Sequence, residues 1–253
     1  MTLLLVDAAN ILLRCAFGGD APPEQSTPIA LGMIERAIRE TRAKHLVVAL
    51  DFPGDPSWRS LECPAYKANR SRDTSPWLIA GATAFAAKRW RCEVAAGFEA
   101  DDIIATLATR AAARARVVIL SGDSDLLALT AHRSVDVLRP MSGGAFDRFD
   151  GAAVCAKYEI PVPHLLADFK AMVGESTDNI AGVPGIGAKR AAGLLQKFSG
   201  GLEDIIRVGQ GGYSRDAERV AQHAEGARLA LRLVTLRTDV AIDPIPPSAC
   251  AVA

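Results

Sequence analysis

Short apolar runs separated by longer helical patterns predict an α/β fold: a parallel sheet with helices on both faces, followed by a mostly helical C-terminal part. Runs at 3–6, 46–50, 117–120 and, more weakly, 135–138 have the length and Leu/Val/Ile content of buried strands. Helical patterns cover 28–43, 76–90 and 100–115, and strands joined through helices imply parallel crossovers. After about Gly151 the strand signal fades and helical patterns dominate, including 216–236, with a Gly/Pro-rich break at 182–187. The expected organisation is an α/β core over 1–150, a helical region over 151–243, and a flexible Pro-rich tail over 244–253.

Composition narrows the function classes. The chain has 253 residues, 49% of them hydrophobic, so a core can be buried without disulfide or metal staples. Lys plus Arg and Asp plus Glu both number 29, which excludes a uniformly basic nucleic-acid coat but leaves room for local charge separation. The five cysteines are odd in number and form no C-x-x-C pair, and no H-E-x-x-H occurs. A disulfide framework and zinc hydrolase chemistry lack support, and a reduced, cytoplasmic setting fits better. The first apolar run stops at Asp7, too short for a signal peptide or a membrane span.

Carboxylates fall where a parallel sheet binds ligands, at the carboxyl ends of its strands. The first strand runs into Asp7, the second into Asp51, and the third into Asp123 and Asp125. Glu99, Asp101 and Asp102 sit at the start of a helix, where capping accounts for one acid but not for three in four residues. Glu175 and Asp178 flank Ser176 and Thr177 in a polar break between helices. Two unit charges about 4 Å apart repel by roughly 4 kcal/mol at an effective dielectric of about 20. Such a cluster calls for protonation or for divalent cations. An all-oxygen donor set favours Mg²⁺ or Mn²⁺, and two such ions suit phosphodiester hydrolysis.

Positive charge is concentrated elsewhere. Over 57–91 seven cations face two acids, with Trp58, Tyr66, Trp77 and Trp90 interleaved. Such a segment can hold single-stranded nucleic acid by phosphate contacts and stacking, although Trp77 and Trp90 read better as core. In Tyr66-Lys67-Ala68-Asn69-Arg70 two cations lie about one helical turn apart. The stretch from Gly182 through Gly185 and Gly187 to Lys189 and Arg190 lacks the Gly-Lys-Ser/Thr of a P-loop. No strand precedes it, so it is not a dinucleotide fingerprint either. It reads as a hairpin between helices, whose glycines and helix N-terminus would let backbone amides reach a phosphate.

Taken in order, Asp7 with Arg14, Asp51, Tyr66 to Arg70, Glu99 to Asp102, Asp123 to Asp125 and Ser176-Thr177-Asp178-Asn179-Ile180 before the hairpin resemble the 5′ nuclease, or flap endonuclease, family. The resemblance runs over nearly the whole chain. It implies a PIN-like core, a basic helical arch at about 69–91, and a helix–hairpin–helix at about 168–198. It implies one metal group at Asp7, Asp51, Glu99, Asp101 and Asp123. A second would comprise Asp125, Glu175 and Asp178, with Asp102 and Asp123 nearby. It assigns Lys67, Arg70 and Arg14 to the scissile phosphate, and Tyr66, Arg72, Gly182, Gly185, Gly187, Lys189 and Arg190 to DNA binding. It further implies K⁺ at the hairpin carbonyls. The activity it implies is 5′-3′ exonuclease and 5′-flap cleavage of DNA. The expected setting is a monomer without membrane contact, working beside separate DNA polymerase and ligase enzymes.

The chain departs from the family pattern at three positions. Glu175 stands where the family usually has Asp, Leu13 where it often has Tyr, and Ala181 where Pro is common. Glu reaches one methylene further and Mg²⁺ demands near-octahedral geometry, so the second site is expected to be weakened, shifted or biased toward Mn²⁺. The alternatives are a branched-DNA-binding protein with weak or lost catalysis, and a PIN-type ribonuclease.

Overall fold

The computed structural model describes residues 1–18, 20–51, 56–70 and 72–252. Ser71 of the expected arch and Ala253 of the expected tail lie outside the described residues. In chain order the elements begin β1 (Thr2–Asp7), α1 (Ala8–Phe17), α2 (Pro23–Thr41), β2 (His45–Ala49), α3 (Trp58–Glu62), α4 (Ser75–Ala87) and β3 (Arg91–Glu93). Next come α5 (Ala100–Ala112), β4 (Arg116–Leu120), β5 (Val135–Pro140) and β6 (Phe146–Phe149). The helices α6 (Gly151–Tyr158), α7 (Leu166–Val173), α8 (Ala188–Lys197), α9 (Gly201–Gln210), α10 (Arg215–Gln222) and α11 (Ala224–Val234) complete the chain. Two compact units emerge: Met1–Trp58, Arg72–Asp150 and Arg237–Ala253 form one, and Arg59–Ser71 with Gly151–Leu236 the other.

The first unit is built on a six-stranded sheet in the order β3-β2-β1-β4-β5-β6, parallel except for β6. Its middle strand β1 pairs with both β2 and β4, Leu4 standing opposite Leu46 on one side and Val118 on the other. Leu4, Val6, Val48, Val118 and Leu120 join Ile11, Leu12, Ala30, Ile34 and Phe85 in one buried cluster. The other face packs on α5. Each buried Leu, Ile or Phe contributes about 1.5–3 kcal/mol, so strands buried on both faces read as unbroken apolar runs.

Four differences from the sequence reading have local causes. The strands β3 and β6 were not expected, being short edge strands with charged residues in them. Helix α2 starts at Pro23, with Pro22 as its N-cap, and tolerates Pro28 inside. The stretch 216–236 is two helices, broken at His223 (φ −114°, ψ 25°). Residues at the C-terminus are no loose tail: Leu46 N–H donates to Cys250 O at 2.7 Å and Val252 N–H to Lys44 O at 3.0 Å.

The arch expected at about 69–91 contains helix α4. Helix α4 contains no charged residue and packs on α1 and α2, burying Gly81 and Phe85. A Cβ at Gly81 would stand 2.3 Å from Leu12 Cδ1, so a larger residue there would displace the Leu12 side chain. Trp90 stacks on Phe85, and Trp77 Nε1–H donates to Ala21 O at 3.1 Å. The cations flank this apolar helix; they are not carried on it.

The second unit is helical. Leu166, Phe169 and Met172 of α7, Leu194 and Leu195 of α8, Ile205 and Ile206 of α9, and Leu233 of α11 are buried. Arg59, only 1% exposed, donates through Nε to Leu233 O at 2.7 Å and through Nη2 to Thr235 O at 3.4 Å. A cation thus satisfies the last carbonyls of α11. The glycine-rich stretch joins α7 to α8 as the helix–hairpin–helix pattern requires. Gly182 is held by close approach: its Cβ would lie 2.4 Å from the Val173 carbonyl.

Removing residues 249–253 strips the pairing from β2 and exposes its start. The thermal midpoint is expected to fall by about 3 °C or more, measured by calorimetry against the full chain.

Candidate active site

The carboxylates of the first unit gather where β1, β2 and β4 end and the following segments begin. Asp7, 7% exposed, has two structural tasks: its Oδ1 accepts from Asn10 N–H at 3.1 Å, capping α1, and its Oδ2 accepts from the Ser121 hydroxyl at 2.7 Å. Asp51 Oδ1 accepts from Ala100 N–H at 2.8 Å and so caps α5 from outside that helix. Asp123 Oδ1 accepts from Asp125 N–H at 2.8 Å, while Asp123 N–H donates to Ser121 Oγ at 2.9 Å. Glu99 Oε1 accepts from the Ser57 hydroxyl at 3.1 Å. Asp101 lies two residues further on, in the first turn of α5. These bonds orient the acids, as supporting hydrogen bonds orient ligating carboxylates.

Crowding has an electrostatic cost. Burial pushes the Asp7 carboxyl up to about 7; the Ser121 and Asn10 hydrogen bonds oppose that rise, and the charges of Asp123 and Asp51 add to it. A divalent cation would turn this repulsion into attraction, and the donors are all oxygens, so the residues fit a hard metal ion in kind. Among the described residues, no three His, Cys, Asp or Glu side chains converge on one ion position.

Asp102 has another job. Fully buried, it accepts from Trp58 Nε1–H at 2.9 Å and from Arg237 N–H at 2.9 Å, pinning Trp58 and the returning C-terminal segment to α5. Both oxygens of Asp102 thus accept hydrogen bonds within the fold.

In the second unit the segment 65–70 is stapled to 175–180. Lys67 N–H donates to Asp178 O at 2.9 Å, Asn69 Nδ2 to Ser176 O at 3.1 Å, and Asn179 Nδ2 to Ala65 O at 2.8 Å. Asp178 is buried; Arg70 binds its Oδ1, while the Tyr66 hydroxyl and Lys67 Nζ approach Oδ2 at 3.4 and 4.0 Å. Lys67 holds a left-handed backbone, φ 54°, at the turn that brings both cations to one carboxylate. Glu175 accepts from the Thr177 hydroxyl at 2.8 Å and pairs with Lys170 Nζ at 3.2 Å. Burial works to raise the Glu175 carboxyl, but Thr177 and Lys170 hold it below its ordinary value.

Several of the expected DNA-binding residues have partners within the chain. Tyr66 is 6% exposed, so its ring supports Lys67, 4.8 Å away, and offers no stacking face. Arg72 pairs with Asp20 at 3.0 Å and lies over the Phe17 ring. At the hairpin, Gly185 O accepts from Arg190 Nη1 at 2.7 Å, and Arg190 also approaches Asp216 at 3.8 Å. A guanidinium thus lies at one of the hairpin carbonyls. Gly187 remains open: a Cβ there would meet nothing within 4 Å, just ahead of α8. Lys189 and Arg14 are exposed.

The sequence reading missed Ser121, Asn10 and Lys170. Ser121 stands between a strand end and two acids, a readable signal; Lys170 sits among apolar residues of α7 and carries none.

Comparison with known proteins agrees with this layout. Residues 2–159 match the family model for the 5′-3′ exonuclease N-terminal resolvase-like domain, and 162–251 that for the 5′-3′ exonuclease C-terminal SAM fold. A DNA polymerase I of Rhizobium leguminosarum is 34% identical over 263 residues, covering 95% of this chain and 25% of the relative. A 5′-3′ exonuclease of Streptomyces coelicolor is 34% identical over 219 residues, covering 77% of this chain and 71% of the relative. The chain therefore spans about a quarter of the polymerase relative's length. The solved structure of T5 5′-exonuclease with divalent metal ions (zinc) superposes with a TM-score of 0.80 at 23% identity, covering 94% of this chain and 90% of that one. The catalytic core of Rad2 in complex with DNA gives 0.62 at 13% identity, covering 96% and 82%. These likenesses establish the fold.

Replacing Asp7 separates stability from chemistry. Its folded pKa lies above the unfolded value near 3.8, so its stabilising contribution is present below about pH 4 and is lost as pH rises toward 7. Asp7→Asn is expected to raise the metal-free melting midpoint at pH 8 by about 3 °C or more, with little change at pH 4. Thermal melts in EDTA at both pH values check this. Gly182→Ala is expected to lower the midpoint, because the Val173 backbone leaves no room for the added methyl.

Proposed function

Because the chain belongs to the 5′-3′ exonuclease family, we propose that it hydrolyses DNA phosphodiesters as a divalent-metal-dependent 5′-3′ exonuclease and 5′-flap endonuclease. The observation that carries this reading is Asp7, buried beside Asp51 and Asp123 with its carboxyl raised to about 7. A buried carboxylate with two acidic neighbours is suited to positive ions. The T5 exonuclease fold relative was solved with divalent metal ions bound. A T5 flap endonuclease variant of the same fold was solved as a pseudo-enzyme-product complex with DNA and metal ions.

When bound, Mg²⁺ or Mn²⁺ lowers the pKa of water and offsets charge on the phosphate. Asp7, Asp51 and Asp123 would hold the ions, helped by Glu99, Asp101 and Asp125. Ser121 and Asn10 fix the Asp7 carboxylate, and Asp125 N–H fixes that of Asp123. Lys67 and Arg70, held by Asp178, offer two cations to a DNA phosphate. Arg14 on α1 is a third. Gly187 and Lys189 at the start of α8 would receive a duplex phosphate on backbone amides and an ammonium. The substrate is DNA with a 5′ end or 5′ flap. No described helix is long and apolar enough to cross a membrane. In this reading the protein works in the cytoplasm, as a monomer beside separate polymerase and ligase enzymes.

The test is a labelled 5′-flap duplex incubated in Mg²⁺, in Mn²⁺ and in EDTA. Cutting near the flap junction is expected in either metal and none in EDTA. Binding without cutting in any metal would overturn the enzyme reading. Asp123→Ala is expected to lower cleavage by about 10³-fold with the melting midpoint of the metal-bound fold as a control. Lys67→Ala is expected to lower kcat by about 10²-fold while flap affinity, measured by anisotropy, changes little. A defect confined to affinity would contradict the role given to Lys67.

A further inference from the structure

In the helical unit, every carboxylate that resemblance assigns to a metal has a cationic partner from the same unit. Asp178 binds Arg70 and faces Lys67. Glu175 pairs with Lys170, whose side chain is only 7% exposed, and its second oxygen accepts from Thr177. Three cations thus accompany two acids. A patch with that balance suits an anion better than a divalent cation. The extra methylene of Glu175 also has a use here. Lys170 lies on α7, before the turn at Gly174 (φ 85°), while Glu175 lies after it. The longer side chain folds back across that turn to the ammonium.

We propose that Glu175 is a positioning residue, the counter-ion of buried Lys170, and not a metal ligand. Its backbone pairs with Ile180 in both directions, Glu175 N–H to Ile180 O and Ile180 N–H to Glu175 O, each at 3.0 Å. That bridge frames the turn Ser176–Asp178, and Asp178 in turn holds Arg70 and Lys67. The Lys170–Glu175 pair therefore sets the cations of the patch, and the divalent ions are held by the carboxylates of the α/β unit. Breaking a buried pair by removing one partner is strongly destabilising, whereas removing both charges is far less so.

This inference rests on the nuclease reading for its metal, and its test has two arms that fail separately. Bound Mn²⁺ per chain is counted by electron paramagnetic resonance for the wild type, Glu175→Gln and Asp123→Ala. Melting midpoints are measured in EDTA for Glu175→Gln, Lys170→Met and the double variant. Glu175→Gln should bind as many Mn²⁺ ions as the wild type, while Asp123→Ala binds fewer. Glu175→Gln should melt about 6 °C or more below the wild type, and adding Lys170→Met should recover at least half of that loss. One Mn²⁺ fewer in Glu175→Gln overturns the proposal, as does a midpoint that the double variant fails to restore. A wild type that binds no Mn²⁺ would count against the nuclease reading, and the melting arm would still decide the pairing.

Discussion

The α/β unit is organised around one buried carboxylate. Asp7 ends the central strand, starts the first helix by accepting Asn10 N–H, and ties the neighbouring strand end through Ser121. Each bond is a structural device found at ordinary strand–helix junctions. What sets this one apart is the company of Asp51 and Asp123 beside a carboxylate that is itself buried, where like charges are poorly screened. The same residue that fixes the entry to α1 therefore carries an electrostatic load that only protonation or a cation relieves. Fold and chemistry share a single side chain, and the surrounding hydrogen bonds to Asp51, Asp123 and Glu99 extend the same arrangement.

The helical unit solves the opposite problem. Its Lys67, Arg70 and Lys170 need counter-charge to be held in place, and Asp178 and Glu175 supply it. Three further hydrogen bonds staple the turn carrying Lys67 to the turn carrying Asp178, so the cations are ordered before any phosphate arrives. Ordering long side chains in advance removes an entropic cost that binding would otherwise carry. The unit is thus an anion-facing counterpart to the acid-rich α/β unit, which reconciles a formal net charge of zero with local charge of both signs.

Much of this was legible in the residues. Runs such as 3–6 and 117–120 could only be strands buried on both faces, and parallel connection then placed Asp7, Asp51 and Asp123 at one edge. Edge strands β3 and β6 escaped because Arg91, Glu93, Asp147 and Arg148 mask their period. Side-chain partners escaped for a different reason. Whether Asp102 faces an ion or the Trp58 indole depends on contacts 44 residues apart along the chain, which periodicity does not encode. Tyr66 read as a stacking surface because aromatic character is visible in sequence while burial at a turn is not. The pairing of Glu175 escaped because Lys170, five residues earlier, looks like any helical lysine until α7 is seen to bury it.

The return of the chain to the α/β unit has a consequence for its synthesis. The backbone partners of Lys44 and Leu46 are Val252 and Cys250, more than two hundred residues later. The helical segment Gly151–Leu236 must therefore leave the ribosome before the last pairing of the sheet can close. Until then the start of β2 presents unsatisfied backbone groups beside the apolar side chains of Leu3 and Val47. A nascent chain in that state has a sticky edge for about ten to forty seconds at elongation rates of about 5–20 residues per second. That interval, and not the finished protein, is when it most needs shielding from its neighbours.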